Sequence, residues 1–177
     1  MTSPEPVPDK TSGPTPAPGK TPVRLILYID GGSSGNPGPC GAAAIIKDEE
    51  ETTLLEKARA FGPATNNVAE YQALLLGLEA AATLRPTHLT IRSDSELLVR
   101  QLAGQYKIRA PNLKPLHREA MQKLDPFDSV EIQHIPRSQN AEADKLCHKA
   151  MEKARQVDAE LPAEARKTPA HKTFRLK

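Results

Sequence analysis

Tryptophan is absent from the 177 residues, and the remaining aromatics are three tyrosines and three phenylalanines. So little ring surface excludes an extended platform on which bases stack. Cysteine is nearly absent as well: Cys40 and Cys147 stand far apart, in no CxxC or finger-like spacing. That excludes a disulfide scaffold and a thiolate metal cage, and it suits a reducing compartment, so a cytoplasmic location is expected. No apolar run approaches the roughly 20 residues that span a bilayer, so no membrane partner is expected. The N-terminus lacks the charged-then-apolar layout of a secretion signal. An excess of one charge is missing too: 24 basic and 22 acidic residues leave a formal +2, and basicity alone therefore names no partner. The Gly-rich stretch 31–39 lacks the Gly-Lys-Ser/Thr ending of a phosphate-binding loop and leads into a strand rather than a helix. No Ser-His-Asp arrangement is recognisable from spacing.

What the chain does have begins at Leu25-Ile-Leu-Tyr-Ile-Asp30-Gly-Gly. An unbroken apolar run of this length reads as a strand buried on both faces, ending in a rigidly held carboxylate. Residues 1–22, rich in Pro, Thr, Ser and Gly, show no apolar periodicity and read as a disordered tail. The folded domain is expected over 23–157, and 158–177 as a polar, basic C-terminal tail. Within the domain, Gly31–Pro39 reads as a turn, Gly41–Lys47 as a second strand, Asp48–Glu51 as an acidic hairpin turn, and Thr52–Phe61 as a third, edge strand. A loop over Gly62–Asn67 leads to a helix whose stripe is Val68, Tyr71, Leu74, Leu75, Leu78 and Ala82, stopped at Arg85-Pro86. Strand four is His88–Arg92, and a helix follows to about Leu102. A linker carries Lys107 and Arg109, and a third helix runs Asn112–Leu124. Strand five is Val130–Ile135, and the last helix starts at Ala141. The order βββαβααβα implies an α/β fold: a mixed five-stranded sheet with helices on both faces. Strands one to three should be antiparallel and strands four and five joined to it in parallel. Asp30 and Asp94 then project from the same sheet end, where such sheets bind ligands.

Four acids, Asp30, Glu70, Asp94 and Asp144, fall beside element boundaries or on a helix that can return to that rim. Each has an ordinary reading. Asp30 suits a turn, and Glu70 suits a capping box with Asn67. Asp94 suits a helix N-cap, and Asp144 suits a favourable anion near a helix start. Taken together, four clustered carboxylates repel one another unless cations hold them. Oxygen ligands without thiol or imidazole select Mg²⁺ or Mn²⁺ rather than Zn²⁺. Two such ions about 3.5–4 Å apart can clamp the oxygens of phosphodiester cleavage.

Four segments carry a resemblance. Asp30-Gly-Gly-Ser-Ser-Gly-Asn-Pro-Gly38, Thr65-Asn-Asn-Val-Ala-Glu70, Ser93-Asp94-Ser95 and Asn140-Ala-Glu-Ala-Asp144 resemble, in order and spacing, the four motifs of type 1 ribonucleases H. The resemblance covers roughly residues 23–155. It implies the ribonuclease H-like fold, with Asp30, Glu70, Asp94 and Asp144 as catalytic metal ligands and Asp30 bridging two Mg²⁺ or Mn²⁺ ions. It also implies endonucleolytic cleavage of the RNA strand of RNA/DNA hybrids, leaving 5′-phosphate and 3′-hydroxyl ends. Asn36, Thr65, Asn66, Asn67 and Gln72 are then candidates for substrate binding. Asparagine and glutamine read minor-groove edges and 2′-hydroxyls, and Thr65 with Asn36 resemble the positions that hold a DNA-strand phosphate.

The chain also departs from the family pattern. Gly104–Lys114 is short and free of tryptophan, as in compact prokaryotic members without a basic protrusion. Arg137 stands where many members have a histidine, and is a candidate for the scissile phosphate or a product. His134 shares a face with Val130 and Ile132 by alternation, and so reads as a packed histidine rather than a catalytic one; His148 reads as a surface residue. A monomer is the default, with double-stranded RNA as a further candidate substrate. The competing readings are a non-cleaving hybrid or double-stranded RNA binder, which has no use for clustered acids, and another nuclease of the same superfamily.

Overall fold

The computed structural model of the chain describes residues 23–161. The expected tail over 1–22, and residues 162–177 of the expected C-terminal tail, lie outside the described residues. Ten elements follow in order: β1 (Arg24–Ser33), β2 (Gly38–Lys47), β3 (Thr53–Ala64), α1 (Asn66–Leu84), β4 (His88–Ser93), α2 (Glu96–Leu102), α3 (Leu113–Leu124), β5 (Ser129–His134), a 3₁₀ turn (Arg137–Gln139) and α4 (Ala141–Glu160). The sheet order is β3-β2-β1-β4-β5. β2 pairs antiparallel with β1 and β3, whereas β4 pairs parallel with β1 and β5. The mixed sheet and its pairing directions match the order read from the sequence.

Several boundaries differ, each for a local reason. The turn after β1 spans only residues 34–37, because Gly31, Gly32 and Ser33 stay extended and pair with Ala42, Gly41 and Cys40. Likewise β3 continues to Ala64, which pairs with Gly38, so the expected loop over 62–67 is strand and helix cap. Thr65 caps α1, its Oγ1 accepting from the Val68 amide at 3.4 Å. Arg85, left-handed at φ 50°, closes the other end ahead of Pro86. α4 continues three residues beyond Val157.

Strand β1 is not buried equally on its two faces. Leu25, Leu27 and Ile29 are at most 3% exposed and join the core with Leu74 and Leu78 of α1 and Ile91 of β4. On the other face Ile26 and Tyr28 are half-buried. There α4 covers mainly β2, β3 and the far end of β1. Tyr28 instead meets Arg92, Glu51 and Lys47. Helices α1 and α3 pack together on one side of the sheet and α4 packs on the other.

Two glycines allow helix backbone to touch strand backbone. A Cβ on Gly31 would lie 2.2 Å from the Ala69 carbonyl of α1, and one on Gly41 would lie 2.5 Å from the Cys147 carbonyl of α4. These contacts press α1 and α4 onto opposite faces of the sheet at the end where β1 and β4 finish.

Candidate active site

The β1–β4 register ends at Tyr28 opposite Arg92. Two residues further along come Asp30, still within β1, and Asp94, the residue after β4, so parallel pairing brings both acids to one level. Asp30 lies on the face that α4 covers, sharing it with Gly32, whose α-carbon faces Cys147 and Met151. Glu70 arrives from the second turn of α1, held against β1 by the bare backbone of Gly31. One carboxylate oxygen each from Asp30, Glu70 and Asp94 lies within 4.8 Å of the others.

Asp144, in the first turn of α4, lines the same cleft of about 310 Å³. It stands outside the tight group of three. Its Oδ1 accepts from Arg137 Nη2, and its Oδ2 lies 3.5 Å from His148 Nδ1.

The ordinary readings of Asp30, Glu70 and Asp94 do not form, whereas Asp144 does stand as an anion in the first turn of α4. Thr65, not Asn67, caps α1, which leaves Glu70 to the cleft. Ser95, not Asp94, caps α2, its Oγ accepting from the Leu98 amide at 3.4 Å. Asp30 lies in the strand rather than in a turn.

The electrostatics of the group are unfavourable to charge. Asp30 is 8% exposed, and burial, then the neighbouring Asp94, pushes its pKa up to about 6, with a smaller contribution from Asp144. Glu70 is 6% exposed and is pushed well above the usual carboxylate range by burial, Asp30 and Asp94, against a hydrogen bond from the Gly31 amide. Its Oε2 has no hydrogen-bond partner among the described residues. A buried carboxylate oxygen without a donor is costly unless a cation completes it. The donor set is all oxygen, because burial and the nearby acids push the Cys147 thiol up, leaving it a neutral donor to Asp30. The three acids therefore fit a hard divalent cation.

Sequence reasoning missed the residue that ties two strands and a helix of the site together. Asn140 is 1% exposed, and its Nδ2 donates to the Ile29 carbonyl at 2.9 Å and to Asp94 Oδ1 at 3.0 Å. It joins the end of β1, the acid after β4 and the start of α4. An asparagine just before a helix usually caps it, but this one makes no side-chain cap bond and turns inward instead. Cys147 and Met151, also in the cleft wall, were equally invisible without the packing of α4.

The expected substrate residues divide. Asn66 and Arg137 line the cleft. Asn36 lies beside it, its Oδ1 accepting from the Asn66 amide at 3.2 Å. Thr65 is occupied in capping, Asn67 is exposed, and Gln72 is half-buried along α1; none of these three lines the cleft. His134 is exposed rather than packed, with Nε2 3.3 Å from the Asp94 carbonyl. Val130 and Ile132 on its face pack against the core, whereas His134, the last residue of β5, does not. His148 is exposed, as its position implied.

Comparison with known proteins agrees with this geometry. The family model described as "Reverse transcriptase-like" matches residues 28–150. The N-terminal RNase H domain of Rv2228c from Mycobacterium tuberculosis, solved as a fusion with maltose-binding protein, superposes with a TM-score of 0.74 at 39% identity, over 76% of this chain and 98% of that one. LC11-RNase H1 in complex with an RNA/DNA hybrid gives a TM-score of 0.71 at 40% identity, over 74% and 99%. Ribonuclease HI of Halobacterium salinarum is 37% identical over 131 residues, 74% of this chain and 66% of the relative. The mycobacterial relatives are longer proteins, of whose length this chain spans 38%. Four motifs in order, a shared sheet topology and these likenesses over most of the described residues agree: the chain belongs to the type 1 ribonuclease H family.

Proposed function

We propose that this chain is an endonuclease that hydrolyses the RNA strand of RNA/DNA hybrids, leaving 5′-phosphate and 3′-hydroxyl ends. The observation that carries the reading is the group Asp30, Glu70 and Asp94, with oxygens within 4.8 Å and one buried Glu70 oxygen left without a donor. A relative with the same fold, LC11-RNase H1, is known in complex with such a hybrid.

In this reading Asp30, Glu70, Asp94 and Asp144 hold Mg²⁺, or Mn²⁺, as two ions per site with substrate. Bound there, such ions supply a nucleophilic water at neutral pH and charge for the phosphate oxygens. The protein's own residues do the rest. β1 holds Asp30 rigidly between the other acids, and Asn140 fixes the Asp94 carboxylate through Oδ1. Arg137 offers a planar guanidinium to a phosphate at the cleft wall. Asn66, at the start of α1, and Asn36, in the turn after β1, would meet minor-groove edges and 2′-hydroxyls. We assign 23–157 to the one catalytic domain, working as a monomer. The two buried thiols, Cys40 and Cys147, suit a cytoplasmic protein. Among the described residues no helix is long and apolar enough to cross a membrane.

Cleavage of end-labelled duplexes in Mg²⁺ tests the proposal. Internal cuts are expected in the RNA strand of the hybrid and not in duplex DNA, and Asp94→Asn should lower the rate by about three orders of magnitude. A double-stranded RNA arm decides whether that substrate is also cut. An inert wild-type protein, or an Asp94→Asn variant of wild-type rate, would refute it.

A further inference from the structure

Asp144 differs from the other three acids in what holds it. No lysine or arginine ion-pairs with Asp30, Glu70 or Asp94 among the described residues, whereas Asp144 is bound by Arg137. Arg137 stands on the 3₁₀ turn before α4, in a loop pinned at both ends. Ile135 donates its amide to the Ser93 carbonyl at 2.9 Å on one side, and the buried Asn140 anchors the other. The backbone is fixed, but the Arg137 side chain is 70% exposed.

We propose that Arg137 is a removable counter-ion for Asp144: a divalent cation that coordinates Asp144 must first displace the guanidinium. The proposal rests on the divalent-cation reading of the cleft. Asp30, Glu70 and Asp94 can take a first ion without disturbing Arg137, because none of them contacts it by a hydrogen bond. A second ion needs Asp144, whose Oδ1 the guanidinium holds. Two cations in contact with one carboxylate edge repel each other. An ion pair this exposed is weak, so release is feasible. Once released, the planar fork lies at the cleft wall, where a phosphate is its matched partner. Arg137 thereby couples ion entry at Asp144 to phosphate capture.

Mn²⁺ binding to the full chain, followed by electron paramagnetic resonance of the free ion, tests this without substrate or turnover. Arg137→Gln removes the charge and keeps a polar side chain; its weakest-bound ion should bind about three- to fivefold more tightly than that of the wild type. Arg137→Lys, a point charge without the fork, should fall between the two. Lys145→Gln removes the same charge from the exposed neighbour of Asp144 and should leave binding at the wild-type level. Unchanged or weaker binding in Arg137→Gln overturns the proposal, and so does an equal tightening in Lys145→Gln, which marks a general field effect. Asp94→Asn separates the two claims. A variant that keeps the tightest ion, or a wild type that binds none, overturns the cation reading and the counter-ion with it. Loss of that ion in Asp94→Asn beside an unmoved Arg137→Gln overturns the counter-ion alone.

Discussion

The Glu70 oxygen without a donor and the raised Asp30 describe a site that resists its own charge. For Asp30 the sign follows from the two pKa values, 3.8 as the ordinary value and about 6 in the fold. Below the ordinary value both folded and unfolded chains carry the proton. As pH rises through about 6 the fold must give it up, and stability is lost. Asp30→Asn should therefore stabilise the metal-free protein at pH 7.5 by on the order of 2–3 kcal/mol, with the gain vanishing near pH 3.5. Urea denaturation at the two pH values measures it, and a destabilised variant at pH 7.5 would contradict the electrostatics described. A cation bound at Asp30 favours its ionised form, so the stabilising effect of Asp30→Asn should shrink in saturating Mg²⁺. Asn140 makes the complementary prediction. Asn140→Ala leaves the Ile29 carbonyl and Asp94 Oδ1 without their shared donor and should cost about 2–3 kcal/mol. Measured per folded molecule, it should lower kcat more than it raises KM, because Asp94 loses its orientation; a wild-type kcat per folded molecule would assign Asn140 to folding alone.

Among the elements, the contacts of α1 and α4 with the sheet set the site. Gly31 matters because α1 lies on it. Gly31→Ala places a methyl 2.2 Å from the α1 backbone, which must move away and take Glu70 with it. A cost of about 3 kcal/mol is expected, together with weakened Mg²⁺ stabilisation in a thermal melt. Gly62→Ala meets nothing within 4 Å and should leave both unchanged. α4 is fastened near its start by Lys47, only 8% exposed, whose Nζ lies 2.9 Å from Glu142 Oε1. What was legible in the sequence at this scale was the existence and order of the elements, because apolar runs and helical stripes are local signals. Turn lengths were less legible. Glycine permits a turn without requiring one, and Gly31 and Gly32 stay in the ladder because Ala42 and Gly41 face them.

Across the whole molecule, the convergence of Asp30 and Asp94 could be read before any coordinates, because each acid follows a short strand-like run and parallel pairing of the two runs leaves the acids at one level. Glu70 and Asp144 were legible as motif positions, and their meeting depends on glycines whose role only the packing reveals. Asn140, the neutral Cys147 and the Arg137–Asp144 pair stayed hidden, since each is a side-chain orientation that no spacing encodes. His134 was misread because alternation says which face a residue takes and not where the packed layer ends. All of these features converge on a claim about one small volume between β1, α1 and the end of β4. The most direct measurement is an anomalous difference map from a crystal grown with Mn²⁺. A peak is expected about 2.1 Å from carboxylate oxygens of Asp30, Glu70 and Asp94; a map with no peak there at saturating Mn²⁺, or with the ion bound elsewhere, would overturn the cation site.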